Sequence, residues 1–146
     1  MKLSQNDLIW YGRNFTKDNV TYFDYSASGF EFCFTGTKAQ MTILSDSSNW
    51  NEENKGVLGI YVSKINPSDY KGNSLWNDFP EDVTQKIFLN EYENKILLFE
   101  SEKQETVLIR VLKLSECAFG YAGLADLQID GQLVKLQTEI WKEVGQ

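Results

Sequence analysis

Apolar residues in this sequence recur at every second position, and this period constrains the fold more than any other feature. The clearest case is the run in which Phe30, Phe32 and Phe34 alternate with smaller or polar residues. In an extended strand, successive side chains point to opposite faces, so this spacing sends three large rings to one side of a sheet. The sequence therefore predicts strands with one face in a hydrophobic core.

Similar short runs occur along most of the chain and are separated by clusters of Gly, Asn, Asp and Ser. This pattern of short runs and turn residues is typical of an all-β protein. The runs predict strands at residues 8–13, 20–25, 57–65, 84–89, 95–99, 106–114, 124–129 and 133–136. In the run at 106–114 apolar residues occupy odd and even positions alike, which predicts a central strand covered on both faces.

Two short sequence features predict that the chain reverses direction. Alternation resumes after Gly36 and Thr37, so residues 30–44 are predicted to form a hairpin around this pair. The dipeptide Asp130-Gly131 favours a primed turn because both residues tolerate positive φ, and it predicts a hairpin between the last two strands. The segment 66–83 holds both prolines and is predicted to be a long loop.

Short strands at this spacing predict an all-β fold with two antiparallel sheets packed face to face, a β-sandwich of the jelly-roll type. A closed barrel is the alternative. The length of 146 residues and the hydrophobic share of 42% suffice for one packed core, so a single domain over residues 1–146 is predicted. The tail 138–146 is expected to be a short helix or a frayed end.

The charge balance excludes some classes of partner. Lys and Arg number 14 against 21 Asp and Glu, which gives a formal charge of −7. No basic footprint for nucleic acid and no polybasic membrane anchor is therefore expected. The sequence also has no apolar run of bilayer length and no signal-like start, so the chain as written is expected to remain in the cytoplasm.

Histidine is absent from the sequence, which excludes Ser-His and Cys-His nucleophile pairs and His-ligated metal sites within this chain. Cys33 and Cys117 are too few for a zinc cage and are expected to be reduced thiols, although one bridge between them is possible. The sequence also lacks G-x-S-x-G and phosphate-binding glycine motifs. No catalytic residue, metal or cofactor is predicted, and a carboxylate pair of glycosidase type is the remaining enzymatic alternative.

Three aromatic residues stand in the two longest polar segments, namely Trp50, Tyr70 and Trp76. Their flat rings are candidates for stacking on sugar faces in a carbohydrate-binding site. The alternative is that they cap the ends of the sandwich or pack against a neighbouring domain, because aromatic rings dominate buried contacts. Arg13 and Glu116 end two predicted strands, and a structural ion pair between them is predicted.

Several short motifs occur in one particular order along the chain. They are Gly12-Arg13, Phe23-Asp24-Tyr25 before Ser28-Gly29, Phe34-Thr35-Gly36-Thr37, Lys113-Leu114-Ser115-Glu116-Cys117, Gly120 and Asp130-Gly131. In this order the chain resembles the amino-terminal jelly-roll domain of the second family of carbohydrate esterases. The resemblance covers residues 9–136.

The resemblance implies a function as well as a fold. Full-length members look like two-domain deacetylases in which a following SGNH hydrolase domain supplies a serine in a Gly-Asp-Ser motif and a histidine. By resemblance, this chain is a non-catalytic accessory domain whose partners are that hydrolase domain of the same polypeptide and an acetylated polysaccharide or oligosaccharide. The alternative is a free-standing carbohydrate-binding module.

Overall fold

The computed structural model describes residues 1–24, 26–46, 56–70, 83–115 and 121–135. Nine strands account for most of this part of the chain. They are Ile9–Tyr11 (β1), Phe15–Lys17 (β2), Val20–Tyr22 (β3), Gly29–Leu44 (β4), Val57–Lys64 (β5), Gln85–Phe88 (β6), Glu93–Lys113 (β7), Gly123–Ile129 (β8) and Gln132–Val134 (β9). Only two short 3-10 turns, Gln5–Asp7 and Pro67–Asp69, interrupt the described β structure. The predicted all-β class is confirmed.

The strands form one antiparallel sheet in the order β2-β3-β8-β4-β7-β5-β6. One edge of β4 pairs with β7 along almost its whole length. The other edge pairs in turn with β1, β9 and β8. The long strands β4 and β7 therefore form the centre of the described sheet, and the other described strands are arranged around this central ribbon.

The ribbon folds over, and this produces the predicted sandwich from a single hydrogen-bonded sheet. In the first half of β4 the buried rings lie at even positions, such as Phe32, whereas in the second half Met41 and Ile43 are buried at odd positions. The register shifts between Gly36 and Lys38, where the change of parity occurs. A bulge of this kind bends a strand, so both halves direct their apolar side chains into the same core.

The bend is built from two glycines and an aspartate. A Cβ at Gly36 would lie 2.5 Å from the Asp130 carbonyl oxygen, and a Cβ at Gly131 would lie 2.1 Å from the Thr35 carbonyl oxygen. Gly131 also has a φ of 76°, which favours glycine. The Asp130 carboxylate accepts hydrogen bonds from the backbone N–H groups of Thr37 and Lys38 at 2.7 and 2.9 Å.

Both predicted hairpins are wrong for this reason. Gly36 and Thr37 do not reverse the chain but bend one continuous strand, β4. Asp130 and Gly131 likewise connect β8 to β9 without pairing them, because both strands pair with successive parts of β4. Residues that suit a turn also suit a bulge. The sequence signals were thus placed correctly but misread as reversals.

Other sequence predictions are confirmed. Every residue from Val107 to Lys113 in β7 is buried, so the strand is covered on both faces as its composition predicts. The strands predicted at 95–99 and 106–114 are not separate, and the turn predicted between them at 101–105 is wrong, because both belong to the continuous strand β7. The short strand β2 was missed because its residues Phe15–Lys17 lie in a polar stretch. No helix in the described ranges has the length and apolar character needed to cross a membrane.

Candidate functional site

A fully buried ion pair lies on the face of β4 and β7 opposite the phenylalanine rings. Glu31 and Arg110 are cross-strand partners, and their side chains are 0% and 1% exposed. Arg110 donates to Glu31 Oε1 from Nη2 at 2.8 Å and from Nε at 3.2 Å. Burying two charges costs desolvation energy, which good pairing geometry and additional hydrogen bonds offset.

Two tyrosine hydroxyls complete the surroundings of this carboxylate. Tyr11, from β1, donates to Glu31 Oε1 at 2.6 Å, and Tyr70, just after the Pro67–Asp69 turn, donates to Oε2 at 3.2 Å. The Arg110 guanidinium also lies 4.9 Å from the centroid of the Tyr11 ring. Burial, reinforced by the Glu31 carboxylate, raises the pKa of both hydroxyls. They therefore remain donors at neutral pH.

This four-residue network holds structure together and does not resemble a reaction centre. It fixes β1 and the segment 66–70 onto the sheet, because each contributes one hydroxyl to the same carboxylate. Burial raises the pKa of the neighbouring Cys33 thiol to about 12, with a further contribution from Glu31. The thiolate is the nucleophilic form of cysteine, so burial and the raised pKa disfavour Cys33 as a nucleophile at neutral pH.

A small groove lies beside the network. Its volume is about 260 Å³, and Asp7, Ile9, Cys33, Tyr70 and Lys135 are among the residues that line it. Small-molecule sites usually have about 300 to 1,000 Å³. The groove is thus at the lower limit of what could enclose a ligand, and we assign it no role.

A row of aromatic rings lies at the β2, β3 and β8 end of the sheet. The Phe15 ring is stacked on Tyr22 with a centroid distance of 5.0 Å, and the Tyr121 ring meets Tyr22 edge-on at 5.4 Å. Phe15 is 55% exposed although it is strongly apolar. We call these three residues the aromatic edge.

Local sequence features position the aromatic edge. Asp18 and Asn19 both have positive φ and form the two-residue turn that joins β2 to β3, as expected for a primed hairpin. Tyr22 is the cross-strand partner of Gly123. A Cβ at Gly123 would lie 2.7 Å from the Tyr22 ring, so only glycine allows the ring to occupy this position.

Two carboxylates hold the backbone beside the aromatic edge. Asp46 accepts a hydrogen bond from the Tyr121 backbone N–H at 3.0 Å, and Asp24 accepts one from the Ala122 N–H at 3.3 Å. Burial raises the pKa of Asp24, the Ala122 hydrogen bond and Lys113 oppose the rise, and Asp46 adds to it. The two acids thus accept hydrogen bonds from adjacent backbone N–H groups, those of Tyr121 and Ala122.

A second exposed apolar surface lies at the opposite end of the sheet. Val57 and Phe88 are cross-strand partners on β5 and β6, and the Leu114 N–H donates to the Val57 carbonyl oxygen at 2.8 Å. The Leu114 side chain lies over Gly59. Phe88 is 38% exposed and Leu114 is 37% exposed. We call Val57, Phe88 and Leu114 the β5–β6 patch.

The residues singled out from the sequence have different outcomes. Tyr70 is 2% exposed with its hydroxyl bound to Glu31, which favours the alternative that the ring is buried. Trp50 and Trp76 lie outside the described residues, so the sugar-stacking hypothesis is untested for them. Arg13 is exposed and lies two residues after the end of β1, and its predicted partner Glu116 lies outside the described residues.

The Glu31–Arg110 pair is not among the predicted site residues, although the sequence contains a signal for it. Each residue is a lone charge in the middle of an apolar run, at a position that the alternation assigns to a covered strand. Two opposite charges of this kind are expected to pair when both are buried. Cys117 lies outside the described residues, and within the described ranges no cluster of Cys, Asp and Glu could hold a metal ion.

Comparisons with known proteins find likeness in structure but not in sequence. No protein-family model matches the chain, and no curated protein matches it by sequence. The fold is similar to a family two carbohydrate esterase from Cellvibrio japonicus, with a TM-score of 0.70 and 14% identity over 93% of this chain. This match spans 34% of the esterase chain.

Two further solved structures also match most of this chain and about one third of their own chains. A family two carbohydrate esterase from Clostridium thermocellum, in complex with cellohexaose, matches with a TM-score of 0.64 and 17% identity, over 88% of this chain and 33% of that one. An acetyl xylan esterase from the rumen bacterium Butyrivibrio proteoclasticus matches with a TM-score of 0.63 and 14% identity, over 91% and 32%. The chain therefore has the fold of about one third of these enzymes.

Proposed function

We propose that this chain is a non-catalytic β-sandwich domain of a carbohydrate esterase, which positions an SGNH hydrolase domain and forms part of its substrate cleft. One observation carries the proposal. About nine tenths of this chain superposes on only one third of several family two carbohydrate esterases. The motif order along the sequence supports the same family independently of the structure.

The chemistry of the chain supports a non-catalytic role. Serine esterases need a base to activate the hydroxyl nucleophile, most often histidine, and the sequence contains no histidine. At the centre of the sheet, the buried Glu31 carboxylate accepts hydrogen bonds from Arg110, Tyr11 and Tyr70. Such a network stabilises a scaffold and offers no group to a substrate.

The β5–β6 patch is the surface best suited to contact a hydrolase domain. It combines two side chains that are more than one third exposed with the terminal strand of the sheet, β6. Interfaces between domains of one polypeptide bury about 600 to 1,500 Å², and their centres are depleted in charge. Val57, Phe88 and Leu114 are all apolar, as the centre of such an interface requires.

The proposal is tested on the polypeptide encoded by the complete gene. We expect it to contain a hydrolase domain with a Gly-Asp-Ser motif after this domain. Deleting this domain should lower kcat/KM on acetylated xylan more than on 4-nitrophenyl acetate, because the small ester does not need the full cleft. A gene without a hydrolase domain would contradict the proposal. So would a deletion that lowers kcat/KM by the same factor on both esters.

A pair of substitutions tests the contact surface. In the two-domain protein, Leu114→Ser should separate the unfolding transitions of the two domains. Leu97→Ser is the matched control, because Leu97 is 45% exposed and lies on β7 away from the patch. If both variants leave the two transitions as in the unmodified protein, the hydrolase domain does not pack on the β5–β6 patch.

A further inference from the structure

We propose that the aromatic edge, together with Asp46, binds the neutral sugar rings of an oligosaccharide. The inference rests on the proposed function for its ligand class, since the esterases with this fold include an acetyl xylan esterase and an enzyme in complex with cellohexaose. It places the sugar on residues that the sequence analysis did not select.

The rings of the aromatic edge offer the apolar half of such a site. Phe15 is more than half exposed, and its ring centroid lies 5.0 Å from that of Tyr22. The Tyr22 centroid in turn lies 5.4 Å from that of Tyr121. Tyr92, which is 60% exposed, lies near Asp46, because its carbonyl oxygen accepts a hydrogen bond from the backbone N–H of the preceding residue, Ser45, at 2.9 Å. Sugar rings have apolar C–H faces that pack on flat rings, and tyrosine hydroxyls add polar contacts at the rim.

The carboxylates offer the polar half. Asp46 uses Oδ1 to accept the Tyr121 N–H, and a carboxylate has two oxygens with about four acceptor positions in all. Asp46 can therefore also accept hydrogen bonds from sugar hydroxyls, which are stronger because the acceptor is charged. Asp24 lies next to it with its Oδ1 on the Ala122 N–H.

The charges select against other ligands. Two neighbouring acids in a chain with a formal charge of −7 repel phosphate, sulfate and uronic acid groups. Charged residues are also depleted at the centre of protein interfaces, so the acidic aromatic edge fits a second protein domain less well than the β5–β6 patch does. A neutral sugar needs both rings and acceptors, and this surface has both.

The surface is also preformed. The two-residue turn at Asp18 and Asn19 fixes the β2–β3 ribbon. Gly123 has no side chain and so leaves the space that the Tyr22 ring occupies. Binding to a rigid surface loses less conformational entropy than binding to a flexible one. A site of this design can hold a sugar without rearrangement.

The test is a titration of the ¹⁵N-labelled 146-residue chain with xylohexaose and with cellohexaose up to about 10 mM, a range suited to weak sites. We expect the backbone signals of Phe15, Tyr22, Tyr121 and Gly123 to shift and to saturate with at least one of the sugars. Phe15→Ala should weaken binding about tenfold, which corresponds to about 1.4 kcal/mol. Phe15 is largely exposed, so its removal should not unfold the chain.

The control variant is Phe88→Ala, because Phe88 is the exposed phenylalanine of the β5–β6 patch. It should bind sugar as the unmodified chain does. The inference is overturned if neither sugar shifts these signals, if both variants bind sugar equally, or if choline shifts the signals and neither sugar does, since aromatic rings near acids could instead attract an organic cation.

The outcomes remain separable from those of the proposed function. If the sugars do not bind but deletion of the domain still impairs an esterase, only the sugar site is wrong. If the sugars bind but the gene encodes no hydrolase domain, the sugar site stands and the chain is a carbohydrate-binding module.

Discussion

Replacing Glu31 by glutamine tests the buried network in the centre of the sheet. The substitution keeps the size of the side chain but removes its charge, so the Arg110 guanidinium would stay buried at 1% exposure without a carboxylate. It also weakens the acceptor of the Tyr11 and Tyr70 hydroxyls. The variant is therefore expected to be strongly destabilised.

The size of the effect follows from this geometry. Removing one partner of a buried ion pair costs about 3 to 5 kcal/mol, and the amide oxygen can still accept one hydrogen bond from Arg110. We therefore expect a loss of about 3 kcal/mol. At about 2 to 4 °C per kcal/mol, this lowers Tm by roughly 10 °C. Such a loss is a large part of the total stability of a domain, which is about 5 to 15 kcal/mol.

Urea denaturation followed by circular dichroism measures this loss. The control is Glu100→Gln, because Glu100 is paired with Lys38 at 4.0 Å on the surface with 61% of its side chain exposed. Surface pairs of this kind contribute about 0 to 1 kcal/mol. The double variant Glu31→Gln with Arg110→Met should lose less than the sum of the single variants. Equal losses for Glu31→Gln and Glu100→Gln would refute the reasoning.

Three other predictions concern single residues. Tyr70→Phe should lower the free energy of unfolding by about 1.5 to 3 kcal/mol, the usual range for a hydrogen bond to a charged group. It should leave the sugar titration unchanged. An altered titration would indicate that Tyr70 contributes to sugar binding. The Cys33 thiol, whose pKa is raised by burial to about 12, should react with a thiol reagent at pH 8 far more slowly in the native chain than in urea, when the other cysteine is replaced by serine; equal rates would contradict its burial. Hydrogen bonds from Thr37 and Lys38 hold the pKa of Asp130 below its ordinary value of 3.8, so its contribution to stability is complete above pH 3.8 and is lost as the pH falls through the lower native pKa. Asp130→Asn should flatten the fall of stability in acid, and an unchanged pH profile would count against the bend described here.

The strands were predictable because their signal is local. Alternation of large and small side chains places β4, β5, β7 and β8 close to their observed positions. The covered face of β7 follows from the same pattern, since apolar residues occupy both parities from Val107 onwards. A strand such as β2, which has polar neighbours and only three residues, gives no such signal.

The path of the chain was less predictable because it depends on distant partners. Gly36 and Thr37 could serve a hairpin or a bulge, and the choice is made by Asp130, which lies 93 positions from Thr37 in the sequence. Asp130 and Gly131 in turn bend beside β4 because both β8 and β9 pair with it. Local propensity is the same in both cases, so only the long-range pairing decides.

The candidate surfaces depend on long-range contacts in the same way. Tyr22 and Tyr121 meet only because β3 pairs with β8, and neither lies in a segment whose composition suggests a ligand. Tyr70 stood in a polar loop and yet is buried, since its hydroxyl finds the Glu31 carboxylate 39 positions away. Aromatic content therefore indicates candidates, and the pairing of strands decides which of them are exposed.

The most direct test of the account is the release of acetate from acetylated xylan, measured with the purified 146-residue chain alone and with the complete polypeptide. The account predicts that the chain alone releases acetate no faster than buffer, whereas the complete polypeptide does so with turnover. Turnover by the chain alone would show that it carries its own catalytic site, and the central claim of a non-catalytic domain would then be wrong.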